Sequence, residues 1–119
     1  MINLIIDRNA IARLLDVIGG DIDDLKELVN EFEDVAPEMQ KKMREAVSNE
    51  DFNALRILAH SLKSNARDFG ATRLAKLCEQ LERDCKSGIG LNASSHVGLI
   101  SDELEAATAA LTKLSYFND

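Results

Sequence analysis

Apolar residues in this chain return every three or four positions, in stretches too long for strands and broken at glycines. That periodicity puts one aliphatic stripe along each of several helices, and a stripe can be buried only against another stripe. Composition agrees. Hydrophobic residues make up 45% of the 119-residue chain but aromatics only 4%, with no tryptophan. The core must therefore be aliphatic, which suits helices better than a sheet.

Five helical segments follow. The first is short: Asp7 is its N-cap, Ile11, Leu14, Leu15 and Ile18 face inward, and Gly19-Gly20 ends it. The second opens at Asp21 with Asp23 and Asp24 in its acidic first turn. Its stripe comprises Leu25, Leu28, Val29, Phe32, Val35, Ala36, Met39, Met43 and Val47, and Pro37 is expected to kink it. The third starts between Asn49 and Asp51, runs to Phe69 and breaks at Gly70. The fourth carries Leu74, Leu77, Cys78, Leu81 and Cys85 and ends near Gly88. After the loop GIGLNASS, Ser94 or Ser95 is expected to cap the fifth, whose stripe is Val97, Ile100, Leu104, Ala107, Leu111 and Leu114. Connections this short make neighbouring helices antiparallel. The predicted fold is all-α: one domain over 1–119, an antiparallel four-helix bundle with a short additional N-terminal helix.

The formal net charge of −7 opposes binding to phosphate backbones and anionic membranes, so nucleic acid and membrane are not expected partners. No apolar run reaches spanning length, and the first residues lack the basic start of a signal peptide. Cys78 and Cys85 lie roughly 10 Å apart along one helix, too far for a disulfide. Two buried free thiols point to a reducing, cytoplasmic setting.

The segment LRILAHSLKSNARDFGA, Leu55 to Ala71, holds the informative histidine. On a wheel, Phe52, Leu55, Leu58, Ala59, Leu62, Ala66 and Phe69 share a sector roughly 120° wide. His60 lies about 140° from its centre and faces water. Arg56, Ile57, Lys63, Ser64 and Arg67 flank it on the exposed side. Such an imidazole is either an idle surface group or a chemical group on display. The inward Glu-x-x-His pairs of metal bundles are absent, because Ile57 and Ala93 stand three residues before His60 and His96. No zinc-ligand spacing, phosphate loop or nucleophile elbow appears, and His96 reads as a bystander at a helix start. A neutral imidazole among cations suits nucleophilic attack on a phosphoryl group, whose oxygens those cations then attract. Ser64 is small enough to admit a partner and Ile57 offers apolar contact.

AHSLKSNARDFGA followed by LAKLCEQLE resembles the histidine-containing phosphotransfer domain family, and the resemblance extends through IGGDIDDLKELVNEFEDVAPEMQKKMREAVSNEDFNALRILAHSLK, with its Ala-Pro and the Asp opening the third helix. It implies that His60 accepts a phosphoryl group on its outer ring nitrogen and that Lys63 stabilises the phosphoryl oxygens. Arg56, Ile57, Ser64 and Arg67 would form the partner-binding face. Glu82 stands where some members carry a glutamine that orients the histidine, and a purely structural role is the alternative. Asn65 departs from a commonly smaller residue but points away from His60. The implied function is a relay between receiver-domain aspartates of response regulators or hybrid kinases, by a monomer that carries phosphate without binding ATP or phosphorylating itself. No cofactor or metal is expected on the chain, since Mg²⁺ belongs to the receiver. The alternative is a helical adaptor that docks the same partners through the same face without carrying phosphate.

Overall fold

The computed structural model describes residues 5–88, 92–114 and 117. They form five helices: α1 (Arg8–Val17), α2 (Ile22–Ser48), α3 (Phe52–Asp68), α4 (Thr72–Ser87) and α5 (Ala93–Thr112), with no strand among the described residues. Three aspartates start three helices. The carboxylates of Asp7, Asp21 and Asp51 accept from the backbone N–H of Asn9, Asp23 and Ala54 at 2.9, 2.9 and 3.0 Å, satisfying donors that have no partner inside the helix.

The four long helices close a ring of neighbours, α2 on α3, α3 on α4, α4 on α5 and α5 on α2, while α1 lies against α2 and α3. Adjacent helices run antiparallel. Arg73 of α4 meets Glu103 of α5, and Asp84, further along α4, meets His96 at the opposite end of α5. The core inside the ring is aliphatic, with Leu25, Met43, Leu55, Leu62, Leu74, Leu81, Ile100, Leu104 and Leu111 fully buried. A stacked pair, Phe32 on Phe69 at 4.9 Å between ring centroids, joins α2 to the end of α3. Among the described residues, no helix is long and apolar enough to cross a membrane.

Several local expectations need correction. The cap of α5 is Asn92, not Ser94 or Ser95, and it caps without a side-chain hydrogen bond. Beginning two residues earlier buries Ala93 one turn ahead of Val97, apolar surface that a serine cap would leave in the loop. Residues 89–91 of that loop, and 1–4 of the N-terminal run, lie outside the described residues. Val35 is 43% exposed rather than covered, because it falls at the edge of the α2 stripe and the ten-residue α1 does not reach over it. The same shortness leaves Leu14, Leu15 and Ile18 half-buried while Ile11 is fully enclosed. α2 stays one helix from Ile22 to Ser48 with Pro37 inside it and the ring exposed, which a bend at the proline permits. Cys78 is buried but Cys85 only partly so, and both are free thiols.

A three-residue turn joins α3 to α4 and fixes the register between them. Gly70 sits at φ +73°, and its carbonyl accepts from Asp7 N–H at 2.8 Å, tying α1 to the turn. A Cβ there would stand 2.5 Å from the Asp7 carbonyl oxygen and 2.9 Å from the Ala10 Cβ. Gly70→Ala combines a left-handed backbone with a backbone collision, so we expect a destabilisation of about 2 kcal/mol or more. Urea unfolding measures it, and a midpoint equal to wild type would show that the turn and α1 yield freely.

Candidate functional site

The site is built across the α3–α4 contact, the most extensive helix pairing in the molecule. Leu55, Ala59, Leu62 and Ala66 bury one side of α3, and Ala71, Ala75 and Cys78 present small, buried side chains from the start and middle of α4. Small residues let the two backbones approach. One turn beyond Cys78, at the same edge, stands Glu82, the one buried charged residue among those described, 8% exposed. Its two carboxylate oxygens take two partners from α3. Oε2 lies 2.8 Å from His60 Nδ1, and Oε1 accepts from Lys63 Nζ at 2.6 Å.

The geometry determines the state of the imidazole. An ionised carboxylate only accepts hydrogen bonds, so Nδ1 must carry the proton it shares with Glu82. In the neutral ring Nε2 then holds the free lone pair. The His60 side chain is 59% exposed whereas those of Lys63 and Glu82 are 13% and 11% exposed. The ring is therefore anchored at its inner nitrogen and open at its outer one. The Lys63 hydrogen bond, opposed by desolvation and aided by the His60 hydrogen bond, holds the Glu82 carboxyl below its ordinary value. Just inside, burial pushes the Cys78 thiol up to about 12, against the pull of Lys63, so the interior flank of the site excludes water.

The residues singled out in the sequence do come together, but not as a bare cationic patch. Lys63 was expected to extend toward a phosphoryl site; instead its ammonium is engaged by Glu82, because the wheel places it at the α4 edge of the stripe. Arg67 bonds the Glu79 carboxylate of α4 at 3.0 Å. Arg56 donates to the Asn53 side chain at 3.0 Å. The charged group nearest the imidazole is thus a carboxylate. Ile57, three residues before His60, is 52% exposed, and Ser64, four residues after it, is exposed as well. Asn65 is half-buried in a groove beside Phe69, on the flank away from Glu82. The sequence reading missed Glu79 as the partner of Arg67, although Glu79 precedes Glu82 by three and so shares its helix face. No group of three or more metal-ligating side chains is clustered among the described residues.

Residues 27–110 match the Hpt domain family, over well more than half the chain. The chain belongs to that family. The match includes every residue of the site and most of the four-helix ring, and leaves α1 outside. No curated protein and no solved structure gave a match to the chain. Membership in the Hpt family carries a histidine phosphotransfer role in phosphorelay and interaction with receiver domains.

Glu82 makes the site sensitive to acid. A carboxyl whose folded-state value lies below its unfolded value of 4.5 adds stability above that value and loses it as pH falls through the depressed one. We expect Glu82→Gln to be less stable than wild type near neutral pH by about 1–3 kcal/mol, having lost a charge-assisted partner for Lys63. The gap should shrink as pH drops from roughly 6 to roughly 3. Urea midpoints for both proteins across that range test this, and a constant gap would mean that the carboxylate has no preferential partner in the folded state.

Proposed function

We propose that His60 is the phosphoryl-accepting residue of a phosphorelay carrier, receiving from the aspartyl phosphate of one receiver domain and delivering to the aspartate of another. The observation that supports this most is the 2.8 Å contact of Nδ1 with Glu82 in a ring left 59% exposed. Attack comes from the Nε2 lone pair. As the Nε2–P bond forms, the P–O bond to the receiver's aspartate breaks and the carboxylate leaves with its electron pair. The Nδ1 proton stays in place, and the positive charge that develops on the ring is met by the Glu82 carboxylate. Reversal runs through the same atoms, which suits a carrier that both accepts and gives.

Lys63 serves this centre from the side. Its ammonium neutralises Glu82 in the resting state, on the same carboxylate that holds His60, and in this reading shares its charge with phosphoryl oxygens on Nε2. The partner face is centred on Ile57 and Ser64, with Arg56 and Arg67 at its border. Ile57 supplies apolar area, and Ser64, one turn beyond His60, leaves the approach open. The receiver supplies Mg²⁺ and the acyl phosphate, and this chain acts as a monomer.

The decisive experiment incubates the protein with a receiver domain carrying labelled aspartyl phosphate. Label should move to wild type as an acid-labile, base-stable adduct and should not move to His60→Gln, whose stability should stay within about 1 kcal/mol of wild type. Label retained in the variant, or found on His96, would remove His60 from the role. Lys63→Met should slow single-turnover transfer by about ten- to a hundredfold. Unlike an exposed lysine, it should also destabilise the fold, because Glu82 stays buried with one partner gone. Ser64→Arg should fold normally and fail to bind the receiver in titration calorimetry; unchanged affinity would place the docking face elsewhere.

A further inference from the structure

A second site lies two turns along α3 from His60, where the end of α3, the start of α4 and α1 enclose a cleft of about 400 Å³. That volume is in the range of small-molecule sites, and its lining mixes polar and apolar groups. Three cations from three helices line it: Arg13 of α1, Arg67 of α3 and Lys76 of α4. The two acids present are already committed. Asp7 caps α1 through Asn9 N–H, and Glu79 is bonded to Arg67 at 3.0 Å. Arg13 and Lys76 have no acidic partner among the described residues, on a chain whose formal net charge is −7. Set against Asp7 and Glu79, the three cations leave the lining with an excess of one positive charge, which attracts an anion. Ala10, Gly70 and Ala75 also line it and add little side-chain bulk.

We propose that this cleft binds a phosphate-bearing anion, bridging Arg13 on α1 to Lys76 on α4. A tetrahedral dianion offers oxygens to a guanidinium fork and an ammonium at once, which a single carboxylate does less completely. The consequence for the fold is specific. α1 is held to the α3–α4 turn by the Asp7-to-Gly70 hydrogen bond and makes no extensive contact with α4. An anion shared by Arg13 and Lys76 adds a clamp there, so binding should tighten α1 onto the bundle. The site uses none of the atoms proposed for phosphoryl transfer, and His60 is not needed for it.

The test titrates the full chain with inorganic phosphate and, separately, with adenosine monophosphate, following backbone amide resonances against sodium chloride at matched ionic strength. Saturable shifts should localise to α1 around Arg13 and to the first turns of α4 around Lys76, with a dissociation constant on the order of millimolar. Arg13→Gln and Lys76→Gln should each weaken binding by about fivefold or more and leave phosphoryl acceptance at His60 unchanged. His60→Gln should bind phosphate as wild type does. The melting temperature should rise with phosphate in wild type and not in the double variant. Equal affinity for the two ligands assigns free phosphate as the occupant, and tighter binding of adenosine monophosphate assigns a phosphorylated small molecule. Linear, unsaturable shifts, or saturable shifts that persist in the double variant, would overturn the proposal whatever the outcome of phosphoryl transfer at His60.

Discussion

One carboxylate, Glu82, holds both working side chains of α3. His60 Nδ1 lies 2.8 Å from one of its oxygens and Lys63 Nζ 2.6 Å from the other. A charge at this depth is costly unless its oxygens are engaged. Here both are, so the requirement for partners and the orientation of the histidine are met by the same contacts. The arrangement separates the two ring nitrogens. The inner one is committed to the protein, and the outer one is left to the solvent and whatever docks there. A histidine standing alone on α3 would rotate and exchange tautomers, and the fraction with Nε2 free and outward would fall.

That contact depends on how closely α3 and α4 pack. The approach is set by Ala59, Leu62 and Ala66 against Ala71, Ala75 and Cys78, and by the three-residue turn at Gly70 that fixes which turn of α4 faces which turn of α3. A shift of one helical turn, about 5.4 Å, would carry Glu82 past His60 and leave the carboxylate without either partner. The register is reinforced at the surface by the Arg67–Glu79 pair, which at 58% and 40% exposure contributes alignment more than stability. The rigidity of the bundle is thus part of the site: the chemistry needs an imidazole whose direction is set before a partner arrives.

Much of this could be read from the sequence, for reasons that can be located. The stripe Leu55, Ala59, Leu62, Ala66 leaves a single place for His60, outside it, because helical periodicity converts sequence spacing directly into direction. Aspartates at positions 7, 21 and 51 marked helix starts because capping is a local interaction. Contacts between helices were harder. Lys63 read as a cation reaching outward, since nothing within α3 indicates that Glu82, 19 residues away, would take its ammonium. The family resemblance did single out Glu82 as a candidate orienter of His60, but the shared carboxylate appears only when the register at Gly70 is known. The α5 start was misplaced because a serine cap competed with burial of Ala93, and burial prevailed. Val35 was assigned to the core because a stripe shows its width in the sequence, but not whether a neighbour is long enough to cover its edge.

The central claim is that Glu82 selects the imidazole tautomer, and nitrogen-15 NMR of the His60 ring reads it directly. Two-bond proton–nitrogen correlations, recorded at a pH where the ring is neutral, distinguish the protonated from the bare nitrogen. The account predicts a protonated Nδ1 and a bare Nε2 in wild type, with mixed tautomers in Glu82→Ala. A ring protonated at Nε2 in wild type, or an unchanged tautomer ratio in Glu82→Ala, would contradict it.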